Sequence, residues 1–178
     1  IMDAFDTTEE YVAAINGTVN GNRGLAKYAL WRSLNSSRAA ALEHIEGTNF
    51  AKQSCSIELK GDQRISGVSN DIPRSIPDNW FIPVEMRGRS EIPGWLYDDA
   101  EYRKVAKEEV AAYESISLCI QNMSIERDMS KAQTIAQLAR EHGKILVFDW
   151  SILTLVWFEN ELLKEGIELL RLDGTSPG

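Results

Sequence analysis

The sequence predicts an α/β chain whose first part is mostly helical and whose end opens a parallel sheet. Three observations carry that expectation. Lys144–Phe148 is a short apolar run without alternation, as a strand buried on both faces would be. Glu168–Leu172 is a second such run. Between them Leu155, Phe158 and Leu162 recur at helical spacing behind Ser151, a good N-cap. Strand, crossover helix and strand over about thirty residues make a βαβ unit, which is almost always right-handed. Gly166, after Lys164 and Glu165, suits the left-handed residue that ends the crossover helix.

The elements before it read in order as follows. Thr7 and Glu10 form a capping box for a short helix to about Asn16, and the Gly- and Asn-rich turn to Asn22 breaks it. A long helix is expected from about Arg23 to Ile45, with Leu30, Leu34, Ala41 and Ile45 on one face and Gly47 at its end. Its centre, Asn35-Ser36-Ser37-Arg38, has weak helix propensity and is a place for a kink or break. Cys55–Leu59 reads as a strand by alternation or as a helix extension. Pro73, Pro77, Pro83 and Pro93 mark residues 72–94 as an irregular linker or wrapped insertion. Asp98–Met123 is again helical: Tyr102, Ala106, Val110, Tyr113, Ile116, Ile120 and Met123 repeat at three and four, and Asp98, Asp99 and Glu101 favour the first turn through the helix dipole. Ser130 and Gln133 then read as a capping box for a helix whose apolar face is Ile135, Leu138 and Ala139. The expected division is a helical region 1–128 and an α/β region 129–178. Two parallel strands alone are a poor sheet, so the α/β region is expected to be the truncated start of a larger domain, the chain being a fragment.

Composition narrows the function. With 178 residues and a net charge of −8, a broad nucleic-acid-binding face is disfavoured. Cys55 and Cys119 have no metal or redox spacing, which suits thiols in a reducing, cytoplasmic compartment. No apolar run reaches membrane-spanning length and no signal peptide is visible. There is no G-x-x-x-x-G-K-[ST] phosphate loop and no G-x-G-x-x-G, so no complete nucleotide site is visible. His44 and His142 are too far apart in sequence to suggest a metal pair, and no metal site or catalytic residue is assigned. Arg87 and Arg89 lie in a Gly-containing loop that could reach phosphate, although a solvated loop is the simpler reading. Asp173-Gly174-Thr175 follows the second apolar run, where α/β proteins bind ligands. The D-x-D-G-T signature of haloacid dehalogenase phosphatases is excluded there, because Arg171 stands where the nucleophilic aspartate would be.

Two stretches carry a family resemblance. Ser130-Lys131, Ile145–Phe148 and Leu172–Thr175 follow the pattern S-K-x-x-x-L, V-L-V-F, helix, L-D-G-[ST] that opens the second RecA-like lobe of superfamily 2 helicases. The similarity is strongest to the Swi/Snf-type DNA-dependent ATPases. Upstream, Leu30–Ile45 resembles the K-R-L-x-S-S-x-x-A-[FL] helix of bacterial members, which precedes that lobe. Asp149 and Trp150 depart from the Ser or Gln usual after V-F.

The resemblance implies part of an ATP-dependent DNA translocase or helicase, using ATP and Mg²⁺ in the whole motor but none in this chain. It implies double-stranded DNA and the first RecA-like lobe as partners. Within it, Trp150, Ser151, Gly174 and Thr175 are the candidates for contact with DNA phosphates, through helix-terminus and turn amides. The phosphate loop, acidic box and arginine finger that phosphoryl transfer needs are not in this sequence, so the chain alone is expected to be inactive. Self-association through the incomplete sheet edge is a further expectation. The alternative is a non-catalytic helical protein-interaction module with an α/β appendage.

Overall fold

A computed structural model describes residues 23–58 and 97–172. Among them the structure is helical, with six helices and no strand. The helices are α1 (Arg23–Ser36), α2 (Arg38–Glu46), α3 (Thr48–Ser54), α4 (Asp99–Gln121), α5 (Glu126–His142) and α6 (Ile152–Lys164). The expected short N-terminal helix, the proline-rich stretch 72–94, Arg87, Arg89 and the Asp173-Gly174-Thr175 turn lie outside the described residues.

The α/β expectation is corrected on this point. Residues 144–149 and 167–172 carry no ladder and are not strands. A strand needs a neighbour to take its backbone hydrogen bonds. Here the helices instead pack on each other directly. Ala132 and Ala136 of α5 meet Phe158 and Leu162 of α6 in one cluster, with Ile135, Trp157, Ile167 and Leu169 around it. The segment after α6 folds back along that helix through Ile167 and Leu169. Arg171 holds it there, its guanidinium Nε 3.0 Å from the Glu159 carboxylate in a mostly buried ion pair. The even-numbered neighbours are left outside, with Leu170 82% and Leu172 73% exposed.

Two compact units divide the chain, one from Ile1–Arg32 with Asp71–Ile120, the other from Ser33–Asn70 with Gln121–Gly178. This grouping is discontinuous in sequence, unlike the division at residue 128.

In the second unit the long helix expected from 23 to 45 breaks at Ser37, whose backbone is extended (φ −161°, ψ 168°) and whose hydroxyl accepts from the Ala40 amide at 3.0 Å. Gly47 ends α2 at φ +86°, a left-handed geometry that glycine adopts without a Cβ penalty. Ala39, Ala40, Ala41, Leu42 and Ile45 are buried. Cys55 closes α3, so the Cys55–Leu59 strand reading gives way to a helix end. Helix α5 begins at Glu126, four residues before the expected capping box. Ser130 therefore sits inside it, and its buried face is Ala132 and Ala136, with Leu138 40% exposed. The acidic first turn, Glu126 and Asp128, starts the helix early by complementing its dipole. Helix α6 follows the sequence expectation in part: Ser151 caps it, Phe158 and Leu162 are buried and Gly166 is left-handed at φ +71°, but Leu155 is only half-buried, and Leu153, Thr154 and Val156 are buried beside them.

In the first unit, α4 buries Tyr102, Ala106, Tyr113, Ile116 and Ile120 of the expected face, while Val110 is half-buried and Met123 lies past the helix end, and the Asp98 carboxylate accepts from the Ala100 and Glu101 amides. The same face also buries Glu109, which the apolar periodicity did not include. Neither Glu109 carboxylate oxygen has a hydrogen-bond partner among the described residues. Burial pushes its pKa up from 4.5 to about 8, so the folded chain keeps the proton at neutral pH. Above pH 4.5 the unfolded chain releases that proton while the folded chain retains it until about pH 8. Stability therefore falls as pH rises through this window, by about 1.4 kcal/mol per unit at most, and levels off above it. Urea unfolding midpoints between those limits should fall with pH, and Glu109→Met should flatten the dependence and raise the midpoint at the alkaline end.

Candidate functional site

Three stretches far apart in sequence meet where α1 gives way to α2. They are Asn35–Arg38, the Asp128–Lys131 turn of α5, and Asp149–Thr154 at the start of α6. Ser36, Ser37, Ser151 and Thr154 are all buried there. Burying hydroxyls is costly unless they bond to one another, and the distances show that they do. Ser36 Oγ donates to Asp149 Oδ1 at 2.6 Å. Thr154 Oγ1 lies 2.8 Å from Ser36 Oγ and 2.7 Å from Ser37 Oγ.

The direction of each bond follows by counting protons, because each hydroxyl has one. The Ser36 proton goes to the carboxylate, so Thr154 donates to Ser36 and Ser37 donates to Thr154. Ser37 in turn accepts from the Ala40 amide, its N-capping bond. The result is a one-way chain, Ser37 to Thr154 to Ser36 to Asp149, in which each link polarises the next.

Charged groups close both sides. Lys131 Nζ donates to the carbonyls of Asn35 and Ser36, the second at 2.8 Å, so an ammonium sits on the negative end of α1. Burial first, and then Arg127, pull the Lys131 pKa below its usual value, while Asp128 and Asp149 act to raise it. Asp128 accepts from the Arg38 amide at 2.8 Å and pairs with Arg127 at 3.2 Å, which anchors the start of α2 to α5. The Arg38 guanidinium donates to the Gln121 carbonyl at 2.7 Å.

Beside this node lies an open groove of about 870 Å³ lined by Arg38, Cys55, Ile125, Asp128, Trp157 and Lys164, among others. Burial pushes the Cys55 thiol pKa up, which disfavours the thiolate form. Among the described residues no group of three His, Cys, Asp or Glu side chains is placed to hold a metal ion.

The candidates for phosphate contact separate. Ser151 is buried and its hydroxyl accepts from the Thr154 amide at 3.3 Å, closing the first turn of α6. Its own amide donates to Asp149 Oδ1 at 2.8 Å. A carboxylate of the chain itself thus takes the amide of the α6 N-cap residue. Trp150 is 45% exposed. Gly174 and Thr175 lie outside the described residues.

The sequence missed Thr154, Lys131 and Asp128 as members of one site. The signal within reach was the pair of adjacent serines in a helical pattern, which demanded buried partners once the flanking alanines were read as core.

No family model, curated protein or solved structure matches the chain. Among the described residues no helix is long and apolar enough to cross a membrane.

Thr154 is the link that both serines share. Thr154→Val should lower stability by about 1–3 kcal/mol in urea unfolding, because it strands one buried donor and one buried acceptor. Thr154→Ser should retain most of that stability. In a double-mutant cycle, Ser36→Ala and Thr154→Val should cost less together than the sum of their separate effects.

Proposed function

We propose that this chain is a non-catalytic part of an ATP-dependent DNA translocase or helicase motor of the Swi/Snf type. It supplies a helical brace rather than a reaction centre. One observation carries the reading. Two of the stretches that resemble that family, Leu30–Ile45 and Ser130-Lys131, meet directly, Lys131 donating to the Ser36 carbonyl, and Ser36 and Ser37 go on to bond Asp149 and Thr154 outside the matched stretches. Two stretches that matched separately along the sequence therefore share one buried node, which joins the upstream helix to the α5–α6 pair.

ATP and Mg²⁺ belong to the whole motor in this reading. Two groups of the node are already engaged: Lys131 is held by carbonyls and the Ser151 amide by Asp149. Contact with double-stranded DNA falls to Trp150, Gly174 and Thr175 rather than to Ser151, and the first RecA-like lobe is the protein partner. The contrary reading, a helical protein-interaction module, draws on the net charge of −8 and on the exposed Leu146, Phe148, Leu170 and Leu172.

Reading the gene on both sides of this coding segment separates the two. The motor requires a phosphate loop upstream and a Q-x-x-x-R-x-x-R-like segment downstream, and if both are lacking only the interaction module is left. The purified chain, given Mg-ATP and duplex DNA, should release phosphate no faster than a blank. Turnover above blank would overturn its non-catalytic role.

A further inference from the structure

The segment between α5 and α6 has an unused edge. Residues 144–149 run without helix, turn or bend. The backbones of Ile145, Leu146, Val147 and Phe148 make no hydrogen bond among the described residues. Exposure alternates along the run. Leu146 is 84% and Phe148 86% exposed, whereas Ile145 and Asp149 are half-buried. Four consecutive apolar residues with free amides and carbonyls, and no proline or charge among them, form a template for another extended strand.

We infer that this edge pairs antiparallel with the same edge of a second copy, making a two-fold symmetric dimer. The proposal rests on the geometry of residues 144–150 and is independent of the motor reading.

The row is self-complementary in one register. A two-fold axis normal to the paired strands keeps each copy's outward residues on the same side. With Val147 opposite the partner's Val147, Leu146 lies opposite the partner's Phe148, and Phe148 opposite the partner's Leu146. The apolar residues thus meet apolar residues, and the backbones of residues 145–148 gain the partners they lack.

Area sets the expected strength. The exposed parts of Leu146, Val147, Phe148 and Trp150 amount to on the order of 500 Å² per copy, about 1,000 Å² for the pair, against roughly 1,600 Å² for a standard stable interface. That places the dimer at the weak end, with a Kd on the order of 10–100 µM.

Sedimentation velocity from about 1 to about 300 µM spans that range. The expected result is a saturable monomer–dimer transition. Phe148→Lys should abolish it while leaving the helical circular dichroism unchanged, because Phe148 supports nothing inside the monomer. In a background with Cys55→Ser and Cys119→Ser, mild oxidation of Val147→Cys should give a disulfide-linked dimer, since directly opposed strand residues have Cα atoms about 4.5–5.5 Å apart, within disulfide reach. Ile145→Cys in the same background should not. A monomer at the highest concentration, assembly that grows past the dimer, a dimer that survives Phe148→Lys, or equal cross-linking at 145 and 147 would each overturn the proposal.

Discussion

Ser36, Ser37 and Thr154 are shut away from water, so they must satisfy one another. That requirement fixes much of the second unit. The α1–α2 break has to stand against the first turn of α6, because only there can Thr154 sit between the two serines. Asp149 has to precede α6 by a short turn, because the hydroxyl chain ends on its carboxylate. Lys131 has to lie on the α5 face turned toward α1, because the carbonyls freed at Asn35 and Ser36 need a donor. Hydrophobic burial supplies most of the stabilisation, through the alanines of α2 and the α5–α6 cluster. It is non-directional, however, and would tolerate other helix registers. The hydrogen bonds select one.

The node also explains why the end of α6 is not a vacant anion site. A helix N-terminus attracts whatever negative group is nearest, and Asp149, three residues before the first helical residue, is always near. The Asp149-Trp150 departure from the family pattern thus has a structural use. The carboxylate bonds to Ser36 on one side and the Ser151 amide on the other, and the indole stays partly in solvent. The exposed run before Asp149 is the complementary case, since its backbone groups have no such partner among the described residues.

Helix caps were legible in the sequence because they are local. Ser151, Gly47 and Gly166 act within a few residues of themselves, and their types match the backbone they adopt. The apolar face of α4 was legible for the same reason, as was the weak point at Ser36-Ser37. Glu109 was not, because a charged residue in an apolar period reads as solvent-facing until its surroundings are known. The Ser130 capping box was misread since Glu126 and Asp128 offered an equally good helix start one turn earlier.

The two apolar runs at 144–148 and 168–172 mark the limit most clearly. Their composition determined that they would be short, non-helical and rich in residues that avoid water. Whether they became strands depended on neighbours, because a ladder is made between segments and its hydrogen bonds are not encoded in either one. In this structure the helices close on each other, Arg171 ties the second run to Glu159, and the first run is left with its edge open. The sequence by itself determined the caps at Ser151, Gly47 and Gly166, most of the apolar face of α4 and the weak point at Asn35–Arg38. Only the tertiary structure decided that Lys131, Asp149 and Thr154 meet at that break, since such contacts depend on packing between residues 95 to 118 positions apart in the chain.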